Sequence, residues 1–418
     1  MDNMVSRSPK LPPSVSWKKN LWIMFFSQMT TMIGFSSIFP FLPFYVEAIG
    51  KISSLKTELL VGLVFSVQAF TMMIISPVWG MLSDRYGRKL MVVRATFGGA
   101  IIFVFMAFAR SAEELILLRG IQGLVTGTVG AANALMAASV PRKHMGYAMG
   151  VLQMGLGAGL AVGPLIGGVM ADLFGYQSAF YVTGAMLLLA GFMVLFGVSE
   201  QFEKPVKTGT ASLNLFAGWR HVFDTTGITV IFCLRFANQL GRMIFLPVLP
   251  LFVASLIKDG GGVNSFTGLV VGITSATMTT STIFLGKLGD RIGHRKIVIY
   301  ASLFCCLSLA LQSLVSEGWQ LLLLQALFGI GFGGVIPGIS ALLSQYTTAG
   351  EEGVVYGLDN SISSGARTLS PLLGVWIAMW LGLRWVFAAG ALLYLFACLL
   401  AVIKLPPAVH PPSSLSRP

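Results

Sequence analysis

Four basic residues fall inside long apolar stretches of this 418-residue chain, and only one acid lies well within them. The bases are Arg119, Arg235, Arg242 and Arg367, and the acid is Asp359. An ionisable side chain in such surroundings is costly and usually marks a proton pathway or a ligand site. We therefore predict proton coupling through Arg119 and Asp359, with Asp359 paired to an embedded arginine. The alternative, that Asp359 merely lies near a helix end, stays open.

The same stretches supply candidates for binding a substrate. Arg235 and Arg242 are seven residues apart, so they share one helix face two turns apart. Cations without matching acids predict a positive cavity that favours anionic or zwitterionic substrates, unless backbone carbonyls and water satisfy them. Methionine and aromatic side chains suit a pliable pocket. The predicted substrate-binding residues are Gln28, Met32, Phe35, Phe39, Phe65, Gln68, Arg235, Phe236, Asn238, Arg242 and Arg367.

Composition identifies the elements that must position these residues. The chain is 55% hydrophobic and 11% charged, with a mean hydropathy of +0.80. Since soluble domains carry about 25% charged residues, a soluble protein is excluded. Apolar runs of about 20 residues predict an all-α membrane protein with twelve transmembrane helices. The predicted spans are 20–46, 59–81, 90–109, 114–138, 146–170, 178–198, 226–254, 266–287, 296–315, 320–344, 354–380 and 385–404.

The net charge of +12 follows the membrane topology. Most Lys and Arg lie in the tails and alternate loops on one side of the predicted spans, which places both termini in the cytoplasm. The basic balance therefore does not indicate a nucleic-acid partner. The four cysteines lie in apolar runs without the spacing of a metal site. The chain has no P-loop and no embedded nucleophile with a base, so we expect neither ATP-driven pumping nor an enzyme.

Three features of the first half recur in the second at nearly one offset, close to half the chain. They are the proline pair of spans 1 and 7, a loop after spans 2 and 8, and a proline in spans 5 and 11. Such a repeat predicts two pseudo-symmetric six-helix bundles related by an axis along the membrane normal. The predicted organisation is a tail over 1–19, bundles over 20–198 and 226–404, a cytoplasmic linker over 199–225, and a disordered tail over 405–418.

The repeated loop carries glycines, an acid and bases at fixed spacing. Its residues are Gly80, Asp84, Arg85, Gly87, Arg88 and Lys89 in the first copy, and Gly286, Asp290, Arg291 and Gly293 in the second. Span 5 carries another pattern, with Gly155, Gly159, Gly163, Pro164, Gly167 and Gly168. Glycines four residues apart make a smooth ridge on one helix face, which lets a neighbouring helix approach closely.

On these motifs the chain resembles the major facilitator superfamily over essentially its whole length. Residues 80–89 match the family's loop motif at every fixed position. Residues 119–123 are similar to its R-x-x-Q-G motif, and the span-5 glycines are similar to the antiporter motif of its twelve-span drug:proton antiporters. The resemblance implies that Asp84 ties the two halves together on the cytoplasmic side. A basic turn that only fixes topology is the alternative reading.

The resemblance implies a secondary active transporter that exports small amphiphilic molecules or drugs by proton-coupled alternating access. It would need no cofactor, because the proton gradient supplies the energy. Many relatives carry a carboxylate in span 1 or 4, whereas span 1 here offers only Gln28, so the coupling residue differs. An importer or exchanger of organic anions and a non-transporting membrane sensor remain alternatives. The expected partners are a small-molecule substrate and membrane lipid around a monomer in the bacterial inner membrane.

Overall fold

A computed structural model of the chain describes residues 17–141, 144–200, 226–257, 261–347 and 352–405. Within these ranges every extended regular element is an α-helix. The predicted tails over 1–19 and 405–418 and the linker over 199–225 lie almost entirely outside the described residues. The all-helical fold predicted from composition is confirmed for the part of the chain that the structure describes.

The first half of the chain forms helices α1 to α8. They are α1 (Trp17–Ser36), α2 (Leu42–Ile49), α3 (Thr57–Tyr86), α4 (Arg88–Ala107), α5 (Ala112–Val125), α6 (Thr128–Ser139), α7 (Met145–Phe174) and α8 (Tyr176–Gly197). The second half forms α9 to α15. They are α9 (Thr226–Met243), α10 (Leu249–Leu256), α11 (Val263–Ile292), α12 (His294–Gln312), α13 (Gly318–Tyr346), α14 (Glu352–Leu381) and α15 (Leu383–Lys404).

Nine helical segments in the described ranges are long and apolar enough to cross a membrane. The other three predicted spans are interrupted or more polar. Two of them are each divided into two helices by a turn. Pro43 and Pro250 stand at the start of the second helices, α2 and α10, where a missing backbone N–H is tolerated. The third corresponds to α14, whose hydropathy is lowered by polar residues such as Asp359 and Arg367.

Each half buries a core of its own. In the first half, Phe41, Tyr45 and Phe180 pack together, with ring centroids 5.6 Å apart between Phe41 and Phe180 and 4.9 Å apart between Tyr45 and Phe180. In the second half, Phe252 and Phe387 pack at 4.8 Å. The apolar clusters of the two halves hardly share members. The halves are therefore separate bundles, and the surface between them is not part of either core.

Hydrogen bonds near the helix ends identify one face of the molecule. The Asn20 side-chain amide donates to the Ser199 carbonyl at 2.7 Å, which joins the start of α1 to the end of α8. Arg295 donates to the Val402 carbonyl at 2.8 Å, which joins the start of α12 to the end of α15. We call this side, where the first described helix begins and the last one ends, the terminal face. The opposite side, with the loops α2–α3, α7–α8 and α12–α13, is the far face.

The two halves meet along two seams, α7 against α11 and α3 against α14. A Cβ added to Gly272 of α11 would lie 2.6 Å from the Ala161 carbonyl oxygen of α7. A Cβ on Gly62 of α3 would lie 3.4 Å from the Pro371 carbonyl oxygen of α14. Farther from the far face, α3 and α14 both line a cavity. The far face is thus closed by inter-half packing.

Candidate functional site

A cavity of about 690 Å³ lies between the two halves, and both halves line it. Its size falls in the range of small-molecule binding sites. Most of the residues predicted to bind a substrate line this cavity. They are Met32, Phe35, Phe39, Phe65, Gln68, Arg242 and Arg367.

The first half contributes an apolar wall from α1 and α3. Phe35 and Phe39 meet edge to face at 5.6 Å, and Phe39 lies 6.1 Å from Phe65. Met32 and Met72 line the cavity next to these rings. Aromatic and thioether groups present a large polarisable surface that can adapt to different apolar ligands.

The second half contributes the charged wall. Arg242 and Arg367 are the only charged residues among the described residues that line the cavity. The Arg242 guanidinium carbon lies 4.8 Å from the centre of the Phe332 ring. The Arg367 Nη2 donates to the Ser364 hydroxyl at 2.9 Å. Neither contact neutralises a positive charge, so both charges of the described cavity lining are cationic and come from the second half.

Arg235 and Asp359 form an ion pair away from the cavity lining. Arg235 Nε donates to Asp359 Oδ1 at 2.8 Å, and Arg235 Nη2 donates to Asp359 Oδ2 at 3.0 Å. The same Nη2 donates to the Ser340 hydroxyl at 2.9 Å. Both paired side chains are only 13% exposed. The pair joins α9, α13 and α14, and the predicted pairing of Asp359 with an embedded arginine is present.

Arg119 is almost fully buried in α5, with 1% of its surface exposed. Its Nη1 donates to Gln122 Oε1 at 2.9 Å, and Gln122 lines the cavity. Its Nε has no acceptor among the described residues. Arg119 therefore stands one side chain behind the cavity wall, and no carboxylate of the described residues contacts its buried charge.

Three predicted binding residues lie behind the cavity wall. Gln28 is 1% exposed, and neither atom of its amide has a partner among the described residues. The Asn238 side chain donates to the Leu234 carbonyl of its own helix at 2.8 Å, and the Asn238 backbone carbonyl accepts from Tyr394 at 3.2 Å. Phe236 packs on the second-half core. The structure brings none of the three to the cavity surface.

Sequence reasoning omitted several polar residues of the cavity wall. Gln325 occupies in α13 the place that Arg119 holds in the repeat. Gln325 Oε1 accepts from Thr274 at 2.9 Å, and its Nε2 donates to Gln312 at 3.0 Å. Gln239 and Asn360 also line the cavity. The repeat offset could have pointed to Gln325, whereas Gln239 and Asn360 are uncharged and carry no signal of their own.

The first-copy loop motif forms the tight turn from α3 to α4. Gly87 adopts a φ of +99°, which disfavours any residue with a side chain. Glu200 accepts the backbone N–H groups of Arg88 at 2.9 Å and Lys89 at 2.8 Å. An acid at a helix N-terminus satisfies free donors and complements the helix dipole. The Asp84 side chain lies outside the described part, so the predicted tie between the halves stays a prediction.

The second-copy loop forms the matching turn from α11 to α12. Gly293 adopts a φ of +98°, close to that of Gly87. Asp290 Oδ1, near the end of α11, contacts Nε2 of His294, the first residue of α12, at 3.1 Å across this turn. The two turns therefore share backbone geometry, but different acids and partners hold them. Gly80, Arg85, Gly286 and Arg291 lie at the ends of the same helices near the terminal face.

The span-5 glycines pack α7 against α1 inside the first half. A Cβ on Gly155 would lie 2.9 Å from the Phe25 carbonyl oxygen, and a Cβ on Gly159 would lie 2.6 Å from that of Met29. Further along α7, Cβ atoms on the last two ridge glycines would collide with α1 at Ser36 and with Ser37 just beyond it; these glycines are Gly163 and Gly167. Gly168 lies on the other side and faces α11 across the seam.

Comparison with protein families decides the assignment. The model of the family described as "Major Facilitator Superfamily" matches residues 24–255 and 231–418. The chain belongs to the major facilitator superfamily. Members of this superfamily are membrane transporters rather than enzymes, and the cavity between two related bundles agrees with that role. Within the described residues, no cluster of three or more His, Cys, Asp or Glu could hold a metal ion.

Relatives within the superfamily include proteins named for multidrug resistance. "Multidrug resistance protein MdtG" of Proteus mirabilis (strain HI4320) is 34% identical over 381 residues, 90% of this chain and 93% of that protein. The protein of the same name from Serratia proteamaculans (strain 568) is 34% identical over 386 residues, 92% of this chain and 93% of that protein. This superfamily member is therefore MdtG-like over most of its length, as its motifs predict.

Solved transporter structures share the fold at low sequence identity. A mutant of the nucleoside transporter NupG superposes with a TM-score of 0.75 at 15% identity, covering 94% of this chain and 100% of that chain. The human organic anion transporter MFSD10 (TETRAN) gives a TM-score of 0.64 at 19% identity, covering 92% and 99%. At such identities the likeness shows the superfamily fold alone.

Proposed function

We propose that this transporter exports small amphiphilic molecules, drugs among them, across the bacterial inner membrane by proton-coupled alternating access. The cavity of about 690 Å³ between the two bundles is the observation that carries the proposal. It combines aromatic and thioether side chains with two arginines, as an anionic or zwitterionic amphiphilic ligand requires. The multidrug resistance proteins that share a third of its sequence and the span-5 glycine ridge support export as the direction.

The proposed topology places the terminal face in the cytoplasm, because most Lys and Arg of the loops lie on that side. With this orientation, the structure corresponds to an inward-facing state that is closed toward the outside. A monomer in lipid is sufficient, since both walls of the cavity come from one chain. A substrate would enter from the cytoplasmic side, and separation of the two far-face seams would release it outside.

The proposed coupling element is the ion pair between Arg235 and Asp359. Proton uptake by Asp359 would remove its negative charge and release Arg235, which joins α9 to α13 and α14. A change at this pair would therefore alter packing among three helices next to the cavity. Arg119 would act from the first half, where its buried charge is coupled to the cavity through Gln122. The proton gradient would supply the energy without a cofactor.

Flux in proteoliposomes tests the proposal. The purified protein is reconstituted with a fluorescent amphiphilic dye, and a pH gradient of either sign is imposed across the membrane. The proposal expects dye movement against its concentration gradient when protons flow the opposite way, and loss of this movement in the variant Asp359→Asn. The matched control is Glu58→Gln, which removes an exposed acid outside the described cavity lining. Dye movement that ignores the gradient would reject proton coupling.

A second candidate function is import or exchange of an organic anion, and one observation favours it. The two charged residues of the described cavity lining, Arg242 and Arg367, are both cationic. Competition between a carboxylate-bearing dye and a cationic dye of similar size discriminates the candidates, with the sign of the gradient giving the direction. Uptake of the anion down a gradient, without export, would favour the second candidate. Absence of flux for every probe under every gradient would favour a sensor on the same scaffold.

A further inference from the structure

One carboxylate at the far face reaches from the first half of the molecule to the second. Asp172 lies in the last turn of α7, in the first half. Its Oδ1 accepts from the Asn264 side-chain amide at 2.7 Å. Its Oδ2 accepts from the Ser265 backbone N–H at 2.7 Å and from the Ser265 hydroxyl at 2.6 Å. All three donors belong to the first turn of α11, in the second half.

The carboxylate acts as an N-cap supplied from the other bundle. The residue that precedes α11 is Gly262, which has no side chain to cap the helix. The first N–H groups of a helix need acceptors, and a negative charge there also complements the helix dipole. Asp172 meets both needs, but only while α7 and α11 are in contact. The start of α11 is therefore best satisfied when the far face is closed.

The contact lies at the outer end of the tightest seam between the halves. A Cβ on Gly168, one turn before Asp172, would collide with the Asn264 backbone. A Cβ on Gly268, one turn into α11, would collide with the Pro164 carbonyl group of α7. The far face cannot open without separating this seam. Opening it therefore breaks all three hydrogen bonds of Asp172 together.

The other seam lacks such an acid at the equivalent place. The repeat offset places Met379 of α14 where α7 has Asp172, and Met379 cannot accept a hydrogen bond from an N–H group in the way a carboxylate does. The contact described there is Lys56, with its ammonium 6.0 Å from the centre of the Trp380 ring. The acid bridge is thus a feature of one seam and does not follow from the fold's symmetry.

From these observations we propose that Asp172 is the latch of the far-face gate. It stabilises the state closed at that face and releases α11 when the gate opens, and so sets the balance between the two states. The inference rests on the proposed alternating access. Asp172 is a positioning residue, because it lies outside the cavity lining and acts through the seam.

Pulsed electron spin resonance tests the latch without any substrate. Spin labels at Ile52 and Leu314, which are 81% and 75% exposed on far-face loops of different halves, report the opening distance. The four native cysteines are replaced by serine beforehand. The latch predicts that Asp172→Asn raises the far-face-open population about threefold to tenfold, because the amide loses the negative charge and presents an N–H donor where one carboxylate oxygen accepted. The control Glu58→Gln removes an exposed acid of the same face and leaves the distances unchanged.

A second variant separates the latch from a folding defect. Asn264→Ala combined with Ser265→Ala removes the two side-chain donors and is expected to shift the population in the same direction. Adding Asp172→Asn to it then has less effect than in the parent, because both act through one contact. Distance distributions identical to the parent in folded Asp172→Asn protein would overturn the proposal. A shift without any dye export would keep the latch and reject the proposed function.

Discussion

The two halves share one helical pattern but carry different chemistry. The first half provides the Phe35, Phe39 and Phe65 rings of the cavity and the glycine ridge that packs α7 on α1. In the second half the ridge positions are Ile362, Ala366, Ser370 and Gly374, so only the last glycine is kept. The second half instead holds the ion pair near the cavity and the two cations of its described lining.

The buried polar groups of span 4 and its repeat show a second contrast. Arg119 keeps a charge and one described acceptor, Gln122, in the first half. Gln325, at the equivalent place in the second half, is neutral and hydrogen-bonded to Thr274 and Gln312. A neutral satisfied network costs little to bury, whereas a buried charge is costly. The repeat therefore keeps a polar residue at this position in both halves, but the residue is charged only in the first half.

The largest expected effect comes from breaking the ion pair of the second half. Asp359→Leu leaves Arg235 nearly buried without its counter-charge, so we expect a loss of about 3 kcal/mol in the free energy of unfolding. Arg235→Met added to Asp359→Leu is expected to recover most of it, because no unpaired charge remains. Denaturant titration in detergent measures both. Equal stability of the single and double variants would mean that the two residues do not contribute to stability as a pair.

The next largest effect concerns the ridge of the first half. Gly163→Ala places a methyl group 2.5 Å from the Ile33 carbonyl oxygen, so α1 and α7 must move apart. Overpacking of this kind typically costs about 1–3 kcal/mol. Its repeat mate already has a side chain, so Ser370→Ala should change the thermal midpoint much less. Similar losses for both variants would remove the packing contrast between the halves.

A smaller effect is expected from the cavity charges. Arg242→Gln and Arg367→Gln each remove a cation that no acid offsets in the described cavity lining. We expect each to weaken the apparent affinity for an anionic dye about tenfold, equivalent to about 1.4 kcal/mol, while a cationic dye binds as well or better. Binding titrations in detergent with both dyes measure this. The Gln68→Ala variant of the first-half wall should not discriminate between dye charges.

The last pair of variants tests what the halves share. Gly87→Ala and Gly293→Ala force alanine into a φ near +99° and +98°, respectively. Each is expected to cost about 1–2 kcal/mol in the free energy of unfolding, by the same physical cause. Because the two turns have matching geometry, the two losses should agree closely. A large difference would show that loop contacts, rather than backbone conformation, dominate in one copy.

Much of the fold was predictable from the sequence, because hydropathy and the repeat act over whole helices. The interruptions near Pro43 and Pro250 were not, since apolar residues continue through the turns that separate the helix pairs. The repeat correctly predicted matching turns after α3 and α11, where the positive φ favours glycine. The positions of the tails and the linker stay predictions.

The candidate site was predicted less completely, because depth within a bundle has no sequence signature. Arg235 and Arg242 share a helix face two turns apart, yet their surroundings differ. Arg235 forms an ion pair away from the cavity lining, whereas Arg242 lines the cavity. Gln28 and Asn238 looked like cavity residues but lie behind its wall. Asp172 carried no signal at all, because its partners are distant in sequence and meet it only when both halves are assembled.

Alternating exposure of the cavity is tested most directly by thiol labelling from each side of the membrane. In a variant without native cysteines, Gln68→Cys and Gln239→Cys place one partly buried cavity thiol in each half, and Phe180→Cys in the first-half core serves as the control. Oriented vesicles are treated with a membrane-impermeant reagent from inside or outside. We predict that both cavity thiols react from either side while the control reacts from neither. Reaction from one side only, under every substrate and pH condition, would contradict alternating access.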